Sequence, residues 1–334
     1  MEKRKGLGME EPTSLKATKR VKIPTGFKCN AQCKYCYYID RLDMENPSKE
    51  YVKTLLAYAK EHGIRDVDFS GGESTIRGDL PDLISSARKL GFRNRCVITN
   101  GIRLANGEYM EELVNAGLNE ILFSIEGSRA EIHDSLTRVP GSFNKVVESI
   151  RNAKKLGIRF RTNTTVTKEN VKDLPELAKF LREIRPAAVN FIKFNPWSDA
   201  APHIEKLGAR YGEVAKYAKR AIDLLEGVIG LVNVRYIPFC FMEGYEKHVC
   251  NFSQLKYDPD EWLPWLRLRL EKGLGFKESL DYWLSTFTGA IKYLPFGDIE
   301  TFSLDELLNG VVKEFDQEWY RKGETCEGCK YYPI

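Results

Sequence analysis

The stretch VKIPTGFKCNAQCKYCYY, Val21 to Tyr38, decides how the rest of the chain is read. It opens as a β-strand over residues 21–27 and runs directly into three cysteines, Cys29, Cys33 and Cys36. In a chain of 334 residues with eight cysteines, a C-x3-C-x2-C spacing is expected by chance only about 0.005 times. Thiolates held this close bind metal, and a [4Fe–4S] cube offers four irons, so three cysteines leave one iron open to a cofactor or substrate. Zinc is the plainer alternative. It needs a fourth Cys or a His nearby, and the first histidine in the chain is His62.

Working outward, strand-like runs alternate with amphipathic segments. Strands are expected at residues 21–27, 67–70, 96–99, 120–125, 159–166 and 188–194. Helices are expected at 47–62 (capped by Asn46 or Ser48), 79–90, 109–116, 143–156 and 174–184, several stopped by a glycine. Six β–α steps imply a parallel sheet with helices outside. The absence of a dinucleotide-binding glycine fingerprint points to a curved partial (β/α)6 TIM-like barrel of the α/β class. Such folds gather chemistry at the carboxyl ends of their strands, where Cys29 onward, Gly71-Gly72-Glu73, Asn100 and Ser124 with Glu126 all fall. Beyond Pro196-Trp197 the rhythm changes. One long helix is expected over 205–225, then a strand over 232–237, with a domain boundary near residue 200. Cys96, alone in an apolar stretch, reads as a small buried hydrophobe.

Composition bounds the function. With 51 Lys plus Arg against 47 Asp plus Glu, the net charge is +4. That balance suggests neither a nucleic-acid nor a membrane partner. Residues 1–20 are charged and carry no apolar run, so they read as a basic tail rather than a secretory signal, and a cytoplasmic location is expected. A reducing compartment in turn favours metal binding over disulfides.

The cysteine triad with Tyr35 before its last member resembles the signature of the radical S-adenosylmethionine (radical SAM) superfamily. Gly71-Gly72-Glu73 resembles that superfamily's GGE motif. Thr99-Asn100-Gly101 resembles the T-N-G segment of its SPASM/twitch branch. Ser124-Ile125-Glu126-Gly127 with His133-Asp134 and Arg138 resembles the branch's S-[IL]-D-G … H-D-x-x-R segment. The chain departs from the branch pattern with Glu126 for Asp and Ser74 for Pro. The resemblance covers about residues 21–200 and implies a [4Fe–4S] cluster on Cys29, Cys33 and Cys36. It implies SAM contacts from Tyr35, Gly71, Gly72, Glu73, Asn100, Ser124 and Arg138. Glu73 and Arg138 would meet the ammonium and carboxylate ends of the SAM zwitterion. The activity implied is reductive cleavage of SAM to a 5′-deoxyadenosyl radical that takes hydrogen from a substrate, with a ferredoxin or flavodoxin as low-potential electron donor. Branch members act on peptides and proteins or build small-molecule cofactors. A peptide or protein substrate is the first expectation and a small molecule the second. No motif marks a catalytic acid or base.

Four late cysteines, Cys240, Cys250, Cys326 and Cys329, suffice for a second site. Cys326-x2-Cys329 has metal-binding spacing. By the resemblance, residues 201–334 form a smaller auxiliary-cluster domain with a second [4Fe–4S] cluster. In the branch, a final Cys often follows five residues after such a pair. The sequence stops at Ile334, one position short, which reads as either a truncation or a variant with fewer ligands. A reading from another class is a non-catalytic iron–sulfur electron carrier or zinc scaffold. It gives no reason for Gly71 to Glu73, Ser124 and Arg138 to share one barrel edge, and SAM binding separates the two.

Overall fold

A computed structural model describes residues 20–61, 64–195 and 202–250. Eight strands form one sheet in sequence order, every neighbouring pair parallel: β1 Arg20–Pro24, β2 Asp66–Ser70, β3 Asn94–Thr99, β4 Glu120–Ser124, β5 Arg159–Val166, β6 Val189–Lys193, β7 Val232–Arg235 and β8 Val249–Cys250. Helices alternate with them: α1 Lys49–Glu61, α2 Leu80–Lys89, α3 Gly107–Ala116, α4 Ala130–Thr137, α5 Ser142–Lys155, α6 Leu174–Ile184, α7 Ile204–Leu207 and α8 Tyr211–Leu225. The result is the expected partial barrel, an open curled sheet with helices outside. Strands β7 and β8 and helix α8 carry the same sheet past residue 200.

Alternation along the strands separates two environments. One face, including Val21, Ile23, Val67, Phe69, Val97, Phe123, Val189, Phe191 and Val234, is buried in the core with the apolar stripes of the helices. Helix α1 contributes Val52, Leu55, Leu56 and Ala59, the spacing of one helical face. The other face lines the lumen and is polar for much of its length. Lys22, Ser70, Ser124, Arg161, Asn163, Thr165, Asn190 and Arg235 all open on it.

Several local expectations change. Ser48 caps α1 by accepting from the Tyr51 N–H at 3.1 Å. Asn46 instead turns back and accepts from Phe27 N and Lys28 N at 3.0 and 3.3 Å, bracing the approach to the cysteines. The long helix expected over 205–225 is two helices, because Gly208 takes an extended conformation (ψ 111°) and Arg210 is extended before α8. A Cβ on Gly208 would lie 2.5 Å from the Ile204 carbonyl oxygen, so the tight break needs glycine. Helix α4 had no sequence signal, since Arg129 makes no side-chain cap. Its entry is pinned from outside by Asp173, which accepts from the Ser128 N–H and hydroxyl, each at 2.7 Å.

Cys96 is buried, but it faces the lumen within an ionic cluster. Asp68, Cys96 and Glu120 stand in register across β2, β3 and β4, and their ligand atoms lie within 4.8 Å of one another. The Arg20 guanidinium bonds Asp68 and reaches Glu120 at 2.9 Å. Arg161 approaches Glu120 at 3.1 Å and Cys96 Sγ at 3.7 Å. The two arginines offset the carboxylates and plug the amino-terminal end of the lumen. A one-residue window of apolar neighbours could not show this, because the partners come from four other strands.

Candidate functional site

At the carboxyl edge of the sheet a cavity of about 310 Å³ opens. It is lined by Cys29, Cys33, Tyr35, Cys36, Gly71, Gly72, Glu73, Asn100 and Ser124 among others. Of the residues singled out in the barrel sequence for cluster and SAM, only Arg138 does not line it. Arg138 is exposed, in left-handed backbone (φ 58°) at the end of α4, next to Thr137, which does line the cavity.

The glycine pair has a packing reason. The Gly72 N–H donates to the Gly26 carbonyl at 2.7 Å and the Glu73 N–H to that of Lys28 at 2.9 Å. A Cβ on Gly72 would fall 2.1 Å from the Phe27 carbonyl oxygen, and one on Gly71 (φ +131°) 2.2 Å from that of Gly26. What comes close is the backbone leading into Cys29, so the motif locks the cysteine loop to the end of β2.

Glu73 is 3% exposed and fully engaged. Oε1 accepts from the Thr75 N–H (3.0 Å) and the hydroxyls of Thr75 (2.6 Å) and Thr99 (2.8 Å), and Oε2 from the Asn100 N–H (2.7 Å). Burial still holds its carboxyl above the ordinary 4.5, against the pull of these donors. The Asn100 amide donates to Asn30 Oδ1 at 2.8 Å, with Cys29 Sγ 3.9 Å away. The second anchor of the loop is Tyr35, whose hydroxyl donates to Glu126 Oε1 at 2.6 Å. Glu126 Oε2 accepts from the Thr165 N–H at 2.7 Å, and burial raises its carboxyl to about 7. His133 Nδ1 accepts from the Glu126 N–H, and Asp134 caps α5 through Gly141 N, Ser142 Oγ and Phe143 N. The His-Asp pair is therefore scaffolding for the turn after β4.

Cys29, Cys33 and Cys36 are half-buried and form no disulfide. Burial, with Glu73 adding to it, pushes Cys29 up to about 12, and Cys33 is raised chiefly by burial too. Metal binding must therefore displace protons. Among the described residues, the cavity lining offers three thiols but neither a fourth cysteine nor a histidine. That donor set suits an iron–sulfur cube with one iron left open better than a closed tetrahedral zinc site.

Cys240 is exposed on the turn Phe239–Met242. Cys250 closes β8, and Cys326 and Cys329 lie outside the described residues. Sequence reading missed the lumen residues Lys22, Arg161, Asn163, Asn190 and Arg235. The available signal was the polar alternation of strands such as RFRTNTTV, Arg159–Val166.

A parallel partial barrel with three thiols and a buried carboxylate at its carboxyl mouth defines a cofactor-binding α/β protein. Residues 23–181 match the Radical SAM superfamily. The chain is 31% identical over 192 residues to "AdoMet-dependent heme synthase" of Oleidesulfovibrio alaskensis, covering 57% of this chain and 48% of that one. It is also 31% identical over 178 residues to "Probable GTP 3',8-cyclase" of Sulfolobus acidocaldarius, covering 53% and 56%. The chain spans about half the length of these curated relatives. Its fold is similar to that of Streptococcus suis SuiB bound to precursor peptide SuiA, with TM-score 0.55, 18% identity, and 64% and 48% coverage. No helix among the described residues is long and apolar enough to cross a membrane.

Proposed function

We propose that this chain is a radical SAM enzyme of the SPASM/twitch type, with a [4Fe–4S] cluster held by Cys29, Cys33 and Cys36 and SAM bound beside it in the same cavity. The observation that carries the reading is the convergence of the three thiols, Glu73, Asn100 and Ser124 on one cavity at the strand ends. When bound, cluster and SAM supply one-electron cleavage of the sulfonium, giving methionine and a 5′-deoxyadenosyl radical.

The chain's own residues do the positioning. Gly71 and Gly72 fix the loop against β2. Glu73 and Asn100 present a polar wall beside Cys29. Ser124 faces the cavity from the end of β4. Tyr35, tied to Glu126, holds the loop from the other side.

For the substrate, likeness to SuiB with its precursor peptide supports a peptide or protein. The higher identity to a heme synthase and a GTP cyclase supports a small molecule as a second reading. An auxiliary [4Fe–4S] cluster drawn from Cys240, Cys250, Cys326 and Cys329, a domain boundary near residue 200 and a ferredoxin or flavodoxin donor complete the proposal. Anaerobic reconstitution with iron and sulfide, then reduction with dithionite in the presence of SAM, tests it. The expected product is 5′-deoxyadenosine. A fully clustered protein that binds no SAM would return the reading to an electron carrier or scaffold.

A further inference from the structure

Strand register lays one row of polar side chains across the lumen wall. Ser124 on β4 stands opposite Asn163 on β5, Asn163 opposite Asn190 on β6, and Asn190 opposite Asn233 on β7. None of the four carries a charge. Alternation along β5 turns Asn163 into the lumen. Phe160, Thr162 and Thr164 are buried on the core face, while Arg161, Asn163 and Thr165 are half-buried and line the cavity.

One half of the row is closed on itself. The Asn233 amide donates to Asn190 Oδ1 at 2.8 Å, and the Asn190 amide donates to the Thr162 carbonyl at 3.1 Å. The other half is idle. Among the described residues, the Ser124 hydroxyl, the Asn163 amide and the Thr165 hydroxyl make no hydrogen bond. Arg161, next below Asn163 on the same face, is held by Glu120 and Asp68. What the β4–β5 wall offers a ligand is therefore neutral. The family resemblance assigns Ser124 to SAM and gives no role to Asn163 or Thr165.

An asparagine side chain presents an acceptor, Oδ1, and a donor, Nδ2–H, in one plane. An amide presents the same pair in reverse, so the two groups make paired hydrogen bonds, as asparagine does with a base edge. A carboxylate meets Nδ2 but turns its second oxygen on Oδ1. An ammonium meets Oδ1 but turns its charge on Nδ2. A lone hydroxyl fills one half at a time. A site built on such a pair selects by what it leaves unpaired when the wrong group enters.

We propose that Asn163 is a substrate-recognition residue, and that the group it pairs with is an amide, a carbonyl beside an N–H, as found in a peptide bond or in the lactam edge of a nucleobase. Thr165, two residues on and about 6–7 Å nearer the end of the strand, takes a neighbouring polar group of the same substrate. This rests on the radical SAM reading for the identity of the cavity, and it names the chemistry that the cavity selects.

The experiment is anaerobic calorimetric titration of the reconstituted full chain with saturating SAM and no reductant, so that nothing turns over. Two probes carry the group: a capped alanine dipeptide, and guanosine. Each is matched by an analogue without the pair, the fully N-methylated dipeptide and a purine riboside lacking the ring carbonyl. Wild type should bind at least one amide probe saturably and prefer it to its analogue about tenfold or more. The pair that shows the preference tells a peptide bond from a nucleobase. Asn163→Leu, which fills the space without donor or acceptor, should cut the preference to within about twofold. Asn163→Ala repeats the comparison should the Leu variant not fold. If wild type binds neither amide probe saturably, or if the preference is equal in wild type and variant, the proposal is overturned. A loss confined to SAM affinity in Asn163→Leu also overturns it, since the asparagine would then serve the cofactor. Failure of wild type to form 5′-deoxyadenosine on reduction counts against the proposed function instead, and the titration, made without reductant, is read separately from it.

Discussion

The hydroxyl of Tyr35, in the cysteine loop, donates to Glu126 Oε1, at the end of β4, across 2.6 Å. This bond ties the cysteine loop to the far side of the barrel mouth. Glutamate stands where the branch pattern has aspartate, and its extra methylene provides reach toward the tyrosine. Tyr35→Phe leaves a buried carboxylate oxygen without its donor and should cost about 1–3 kcal/mol. Glu126→Ala also strands the Thr165 N–H and should cost more. Urea denaturation of the two single variants and the double variant checks the coupling. The double should fall short of the sum of the singles; strict additivity would show that the bond contributes nothing.

Glu73 gathers four donors in a buried site. Glu73→Gln replaces one acceptor oxygen with an amide that donates toward either the Asn100 N–H or the threonine groups. A loss of about 2–3 kcal/mol in stability is expected, because a buried donor then faces a donor. SAM affinity should fall with it, since the wall beside Cys29 shifts. Unchanged stability and SAM binding in the variant would mean that the network is incidental.

Gly72→Ala places a methyl 2.1 Å from one carbonyl oxygen and 2.4 Å from another, both backbone. Neither can move without displacing the run into Cys29. The expected outcome is a reconstituted protein with far less iron and a melting temperature several degrees lower, with a cost of about 2–4 kcal/mol. Gly230→Ala, where a Cβ meets nothing within 4 Å, is the matched control. Equal iron content in both variants would contradict the packing account.

His133 is buried, and burial lowers it from 6.5 to about 4, with Asp134 opposing. The unfolded chain therefore takes up a proton at this position before the folded chain does. Stability supplied by neutral His133 is complete above pH 6.5 and is lost as pH falls from 6.5 toward 4. Denaturant titrations of wild type and His133→Gln over this range should diverge in slope by up to about 1.4 kcal/mol per pH unit, wild type falling faster. Parallel curves would show that His133 is not buried neutral.

Much of the site was legible because its residues follow strands in order. Cys29, Gly71, Glu73, Asn100 and Ser124 each sit at a strand end, and alternation told where the strands were. What stayed hidden depends on partners distant in sequence. Cys96 looked apolar because its neighbours in the chain are, yet its lumen partners Asp68, Glu120 and Arg161 come from other strands. Arg138 looked like a ligand by its motif position, yet the end of α4 leaves it exposed outside the cavity. Asn163 carried no motif at all; only the strand register reveals that it stands beside Ser124. Helix α4 was missed because its start is fixed by Asp173, forty-five residues after Ser128, rather than by a local cap.

The central claim is that Cys29, Cys33 and Cys36 hold the cluster at which SAM is cleaved. The most direct measurement compares wild type with the Cys29→Ala, Cys33→Ala, Cys36→Ala triple variant after anaerobic reconstitution, counting iron and 5′-deoxyadenosine in both. The account predicts 5′-deoxyadenosine from wild type, none from the variant, and about four fewer irons per chain in the variant. Equal 5′-deoxyadenosine from both proteins would contradict it.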